Sequence, residues 1–261
     1  NEGKKMSKSR GNVVNPWDHF NKEGTDASRW YMTSQSAPWN PMNFDPNGVR
    51  ETYAKMFLTL WNVHKFHLDY AILDNFDYSK DFIPVAKRNA LDRWVLSRVS
   101  SVAENYHDQY VSWEFHKAAR ELENFVINDL SNWYVRRSRR RLWDEAESHD
   151  KRACQFTLHE VLLTVSKLMA PIAPFMPDKI HFDLTGTSVH TADWPLGSDL
   201  VDKNLPPQDL GLEKEMSIVR MLAETGRKIR VEAKRRQRLP CREGWIVGGP
   251  DLSEFHSIIA E

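Results

Sequence analysis

From Val49 onward the apolar positions recur three and four residues apart, the repeat of a helix with one buried face. The stretch VRETYAKMFLTLWNVHKFHLDYAI places Tyr53, Met56, Phe57, Leu60, Val63 and His64 at that spacing. A second helix is predicted after Pro84, whose missing N–H suits a first turn; it carries Leu91, Trp94, Val95, Arg98 and Val102 on one face. The third runs from about Trp113 to Trp143, roughly 45 Å if unbroken at 1.5 Å per residue. The fourth, around residues 150–170, carries Cys154, Leu158, Val161, Leu162, Val165 and Leu168 and ends before Pro171. FMPDKIHFDLTG adds a short helix closed by Gly186. Long amphipathic helices with short links imply a mainly α fold, an α-helical bundle.

The flanks are different in character. Residues 1–24 read as a loop and a short segment punctuated by Pro16 and Gly24. TDASRWYMTSQ predicts a short helix with its N-cap at Thr25 or Asp26, and the three prolines of SAPWNPMNFDPNG predict a loop. Beyond the bundle, SVHTADWP (188–195) looks extended and LPPQ (205–208) reads as a linker. A last helix is expected over about 211–238, then a strand at GWIVGGP and a short helical tail. The expected domains are 1–48, the bundle at 49–196, and a linker with the start of a small α+β appendage at 197–261. The chain starts and stops inside larger units, so it reads as a fragment.

Composition narrows the classes of function. Hydrophobic residues make up 41% and charged residues 28%, as in an ordinary globular protein. No apolar run approaches the ~18 residues of a membrane span and no signal peptide opens the chain, so no membrane partner is expected. Two distant cysteines, Cys154 and Cys241, argue against a disulfide framework or cysteine-based zinc site and suit a cytoplasmic protein. Acidic and basic residues balance at 36 each, but two local runs, YVRRSRRRLW (134–143) and RKIRVEAKRRQR (227–238), are strongly basic. Such patches can hold a polyanion, although an isolated basic run is more often a solvated helix face.

The sharpest chemical signal is at the start, in KKMSKSRGN (4–12). Lysines in a short loop are point charges that reach triphosphate oxygens, and serine hydroxyls add small donors. The glycine spacing is that of neither a Walker loop nor a GxGxxG. KMSKS followed by GN resembles the signature loop of class I aminoacyl-tRNA synthetases. KMSKSRGNVVNPWD, DASRWYMTSQSAPW, LWNVHKF, LDRWVLSR, AARELENFVINDLSNWYVRRSRRRLW, APIAPFMPDKI and SVHTADWP follow in the order of the isoleucyl-tRNA synthetases. DLSNWYVRRSRRR most favours that branch, and the valyl and leucyl enzymes share the layout more loosely. Arg10 stands where many members carry Leu. The tail lacks the cysteine cluster that binds zinc in bacterial members, so the chain looks more like the archaeal or eukaryotic branch.

This resemblance implies an enzyme that activates isoleucine with ATP and transfers it to tRNA(Ile), with Mg expected in the intact enzyme. The fold implied is the class I anticodon-binding type, with a stem-contact segment before it. No HIGH-type tetrapeptide, nucleotide-binding sheet or editing domain is legible, so the fragment is not expected to be active alone. The resemblance places Lys8 on the leaving pyrophosphate with Lys5 assisting, while Met6, Ser7 and Ser9 shape the loop around ATP. Rival readings are the same region of a valyl or leucyl enzyme, and a non-catalytic helical RNA-binding module, for which a phosphate loop would be idle.

The third helix offers a clue that needs no family. Its apolar seam runs Leu122, Val126, Leu130, Trp133 and, continued, reaches Arg136 or Arg137 and then Arg140. Either the helix presents a basic end to RNA phosphates, with an aromatic for stacking, or the arginines pair with carboxylates such as Asp92, Asp129 or Glu121. Trp133, Arg136, Arg137, Arg139, Arg140 and Arg141 are the candidate tRNA-binding residues. Weaker candidates are Trp30, Tyr31 and Trp39, which could meet the tRNA's inner corner but suit a core, and His64 with His67, which lack a third ligand. Trp194 is expected to pack the extended segment on the bundle.

Overall fold

The computed structural model describes residues 5–80, 82–144, 148–195, 206–236, 239, 241 and 243–260. Eleven α-helices are found among them. Two short ones, α1 (Pro16–Phe20) and α2 (Thr25–Ser34), follow the opening loop. α3 (Pro46–Thr52) runs through a π-helical turn at Tyr53–Phe57 into α4 (Leu58–Leu73), and α5 (Ala90–Val111) lies beside them. α6 (Phe115–Asn124) continues through a longer π-helical stretch, Phe125–Val135, into α7 (Arg136–Trp143). α8 (His149–Met169), α9 (Phe175–Thr185), α10 (Leu210–Glu232) and α11 (His256–Ala260) complete the order. No helix among the described residues is long and apolar enough to cross a membrane.

One core joins these elements. Of the predicted apolar positions of the four long helices, Met56, Trp94, Val126, Leu158 and most others are buried in it, while Tyr53 is half-buried against its edge. α8 is the central rod, buried on nearly every side, so its polar residues must find partners inside. Arg88 forks onto Glu160 with N–O distances of 2.6 and 2.9 Å. Lys151 and Gln155 both donate to Asp74, at 2.7 and 2.6 Å. These pairs tie the connection after α4 to the middle of the bundle.

The N-terminal segment is fastened to the same core. Asp26 accepts the first backbone N–H groups of α9, from Phe175 at 3.1 Å and Met176 at 2.7 Å. Such groups have no partner inside their own helix. Trp30 and Tyr31 are core residues, and the Tyr31 ring occupies the space a Cβ on Gly48 would need, 2.3 Å away. Only glycine fits there. Trp194 packs on Tyr106 and Tyr110, with ring centroids 5.9 and 6.3 Å apart.

Several expectations shift. The N-cap of α2 is Gly24, at φ 87°, one residue ahead of Thr25. Residues 188–195 hold a 3-10 turn at Val189–Thr191 within otherwise irregular backbone. α10 stops at Glu232, where Lys234 turns left-handed at φ 53°. The expected strand at GWIVGGP does not form, and no strand occurs among the described residues, so the appendage is not α+β here. Trp245 and Val247 lie exposed without a neighbouring strand, and a lone extended segment has no ladder to join. Leu205, within the expected linker, lies outside the described residues.

Candidate functional site

The opening loop is built around a tight turn. Residues Lys8–Arg10 form a single 3-10 turn, closed where the N–H of Gly11 donates to the Lys8 carbonyl at 3.1 Å. Gly11 holds φ 67°, a left-handed conformation that costs a side-chain-bearing residue about 1 kcal/mol or more. Asn12 closes the loop from the other side. Its Oδ1 accepts the Ser7 N–H at 2.8 Å, and its Nδ2 donates to the Lys5 carbonyl at 3.2 Å. The Ser7 and Ser9 hydroxyls lie 2.8 Å apart. Lys5, Met6, Lys8 and Ser9 are exposed, so the lysines project from a frame set by Asn12 and Gly11.

The loop suits phosphate and does not suit a metal. It offers ammonium groups, hydroxyls and backbone N–H groups, but residues 5–12 include no carboxylate. Mg prefers carboxylate and phosphate oxygens. No group of three metal-ligating side chains occurs among the described residues.

The basic end of the third helix divides into two faces. A π-helical stretch carries its hydrogen bonds five residues on, which shifts the seam. The buried line continues from Trp133 to Arg137, Ser138 and Leu142, with Arg141 half-buried, and leaves Arg136, Arg139 and Arg140 exposed. Sequence spacing had placed Arg140 on the seam. The wider turn puts Arg141 there instead.

The inward arginines are engaged. Arg141 forks onto Asp92 with both distances at 2.7 Å and reaches Asp150 at 2.6 Å. Tyr134 donates its hydroxyl to the same Asp92 at 2.6 Å. Burial opposes the Arg141 charge, but the Asp92 carboxylate that it forks onto more than offsets this and holds the group above its ordinary range. Burial pushes the Cys154 thiol up to about 11, so it stays protonated. Arg137 lies over the Trp133 ring, 3.3 Å from its centroid, and Arg220 of α10 lies near it at 5.3 Å. The Trp133 N–H meets the Met216 sulfur at 3.3 Å. The aromatic that sequence offered for base stacking is thus occupied within the protein.

The outward arginines make no hydrogen bond or ion pair among the described residues. Arg139 borders a surface hollow of about 450 Å³ with Trp143 and four residues of α4. Glu121 bonds Asn105 and Gln109 on α5, while Asp129 takes Arg98 at 3.2 Å and also pairs with Arg220. His64 bonds Asp183 at 3.0 Å, and His67 lies against His159. Trp39 is exposed beside His116. Asn12 and the hollow were not singled out from sequence. The first carried a signal in its place after the serines, and the second needed two helices brought together.

Comparison with known proteins identifies both parts. Residues 92–243 match the anticodon-binding domain of tRNA ligase, and residues 1–45 match the class I tRNA synthetases of the I, L, M and V group. An isoleucine–tRNA ligase of Cytophaga hutchinsonii is 41% identical over 235 residues, covering 87% of this chain and 21% of that protein. One from Porphyromonas gingivalis is 46% identical over 74% of this chain and 17% of its own length. A Clostridium tetani isoleucine–tRNA ligase is 40% identical across 98% of this chain, which is 25% of it. The chain therefore spans a quarter or less of these relatives. An Agrobacterium radiobacter LeuRS, solved with tRNA and LeuAMS, shares the fold at TM-score 0.55 and 18% identity, over 81% of this chain and 23% of its own.

These relatives are bacterial, which corrects the archaeal or eukaryotic assignment. That assignment rested on missing cysteines, and a chain covering so little of its relatives carries no information about residues elsewhere in them. The chain belongs to the family of tRNA-ligase anticodon-binding domains, carries a class I synthetase segment ahead of that domain, and corresponds to this region of the isoleucine–tRNA ligases.

Proposed function

We propose that this chain supplies a cytoplasmic isoleucine–tRNA ligase with two working parts, a phosphate-holding loop and a surface for the anticodon arm of tRNA(Ile). In the reaction, the isoleucine carboxylate attacks the α-phosphorus of ATP, the bond to the bridging oxygen breaks, and pyrophosphate leaves with the added negative charge. The aminoacyl group then passes to tRNA. Cations that tighten on the leaving group speed the first step. Lys8 takes that role and Lys5 assists, both projecting from the turn framed by Asn12 and Gly11. Met6, Ser7 and Ser9 shape the loop against the nucleotide.

The observation that carries the RNA half is the split face of α7. Arg136, Arg139 and Arg140 face solvent, while Arg137 and Arg141 are held by Trp133, Asp92 and Asp150. The outward three meet phosphates, and the inward two set the register of the helix that presents them. Neutralising a phosphate releases counterions, so each arginine–phosphate pair removed should reduce the salt slope of binding by about 0.7–0.9. Fluorescence anisotropy with a tRNA(Ile) anticodon arm, measured from low to high salt, tests this. Arg136→Gln with Arg140→Gln should weaken binding at low salt and flatten the slope. An unaltered slope in a folded double variant would remove α7 from the RNA surface.

A further inference from the structure

The arginine run of α7 does not by itself decide which way the helix faces. Asp92, fully buried, accepts both nitrogens of the Arg141 fork and the Tyr134 hydroxyl. Arg140 directly precedes Arg141, and Arg136 precedes Arg137. A helix turned by one residue, about 100° at 3.6 residues per turn, would therefore offer Asp92 another guanidinium. Arg136 and Arg140 would then turn inward, and the buried Ser138 and Leu142 would turn out. Burying Leu142 favours the observed phase. The phase itself originates upstream, in the π-helical stretch Phe125–Val135. A π-helix is rare and occurs mostly as a single turn, so a stretch of 11 residues needs contacts from outside to hold it.

α10 provides such contacts at two points inside the stretch. At Asp129, Arg220 pairs with one carboxylate oxygen, while Arg98 of α5 donates to the other at 3.2 Å. Arg220 also donates to the Asn128 carbonyl at 3.3 Å. One turn on, the same guanidinium lies 5.3 Å from the centroid of the Trp133 ring, and Arg137 lies 3.3 Å from it. The ring is thus shared between α10 and the first turn of α7, and its N–H meets the Met216 sulfur. α10 is itself anchored. Its Glu213 accepts the hydroxyls of Ser97 and Ser101 of α5 at 2.7 and 2.6 Å, and Met216 and Val219 are fully buried. Through a charge-assisted bond and a cation–ring contact, one side chain ties the π-helical stretch to a fixed helix.

We propose that Arg220 is a positioning residue for the basic face of α7. By gripping Asp129 and the Trp133 ring, it holds the π-helical register that turns Arg136 and Arg140 outward. Without it, the stretch shifts towards an ordinary helical register in which Arg140 takes the inward place of Arg141. The consequence for binding rests on the reading of α7 as an RNA surface, so register and binding are measured separately.

Register is read by thiol alkylation of the full chain carrying Cys241→Ser, which removes the exposed native thiol and leaves the buried Cys154. Two reporters are placed singly, Arg140→Cys at an exposed position and Ser138→Cys at a buried one. Adding Arg220→Gln should slow alkylation at position 140 and speed it at position 138, with Cys154 still protected. Arg220→Lys, which keeps a cation beside Asp129, should restore both rates. Loss of structure gives a different pattern, because both reporters and Cys154 would then react faster. Binding is read by anisotropy with a tRNA(Ile) anticodon arm across a range of salt. Arg140→Gln should lower the salt slope by about 0.7–0.9 in the wild-type background, and by less than half of that beside Arg220→Gln.

Unmoved reporters, or faster alkylation at both positions, would overturn the positioning role and reduce Arg220 to a structural contact. Equal slope losses in the two backgrounds would overturn it as well, with α7 still standing as the RNA surface. An absent slope loss in both backgrounds would count against the reading of α7, while opposite movements of the two reporters would still support the register held by Arg220.

Discussion

The opening loop and the end of α7 are both short basic segments, yet they are held in opposite ways. The loop is framed by its own backbone and by one side chain, Asn12, with its lysines in solvent. α7 is locked into the bundle by two of its arginines so that three others can face outward. Charge in the loop can follow a ligand, whereas charge on α7 is fixed in direction. The loop should therefore be separable from fold stability, and the inward face of α7 should not.

The largest effect should come from Arg141. Asp92 is fully buried, and removing Arg141 leaves its carboxylate with the Tyr134 hydroxyl but no cation. Arg141→Gln should cost about 3–5 kcal/mol, the usual result of breaking a buried pair from one side. Adding Asp92→Asn should recover part of that loss, since no stranded charge remains. A melting temperature within a degree or two of wild type would show that α7 is not held by this pair.

Lys8 tests the other side of the comparison. In the intact enzyme, Lys8→Ala should slow adenylate formation by about 10²–10³, comparable to losing one transition-state donor. Its melting temperature should not change, because no described interaction of Lys8 reaches the bundle. Single-turnover kinetics beside a melt reads both. An unchanged rate would remove Lys8 from the chemistry, and a large drop in melting temperature would mean the loop is part of the fold.

A third difference concerns pH. His67 lies in the bundle against His159 and Phe76. Burial, then the neighbouring His159 and His64, holds its pKa well below the ordinary value. Burial also lowers His64, although the bond to Asp183 opposes it. A depressed histidine is neutral when folded, while the unfolded chain takes up a proton near pH 6.5. Stability should be complete above that pH and fall as pH drops below it. The slope should approach about 1.4 kcal/mol per unit for each such histidine. Urea titrations between pH 7 and pH 5 should show a shallower dependence for His67→Phe. Identical slopes would mean that the folded state accommodates the proton.

What sequence could reveal differed between the regions for a physical reason. The loop was legible because its chemistry lies in residue identities at fixed local spacing, and the long helices because their apolar faces repeat. Gly24 was missed as a cap because Thr25 and Asp26 are the commoner capping residues. The phase of α7 was not legible. Three- and four-residue spacing assumes an ordinary helix, and the π-helical stretch at Phe125–Val135 exchanges Arg140 for Arg141 on the inner face. Nor could periodicity show that α8 is buried on nearly every side, because polar residues such as Lys151, Gln155 and Glu160 are admitted to the interior only by partners distant in sequence, Asp74 and Arg88. The strand expected from Trp245, Ile246 and Val247 followed β-propensity, which has no effect without a neighbouring strand.

The smallest predicted effect concerns the outward face. Arg136 and Arg140 lie four residues apart on one exposed side of α7, and like charges at that spacing destabilise a helix by a few tenths of a kcal/mol. Arg140, in the last turn, gains from the helix dipole, but Arg136 lies in the interior of the continuous helix and gains nothing. Arg136→Gln should therefore leave stability unchanged or raise it by about 0.2–0.5 kcal/mol at low salt. The gain should vanish as salt screens the repulsion. Paired chemical denaturation curves at low and high salt, with the variant and wild type side by side, can resolve this sign. A clear loss of stability at both salts would place Arg136 with Arg141 among the residues that hold the helix, and the division of α7 into a holding face and a presenting face would fail.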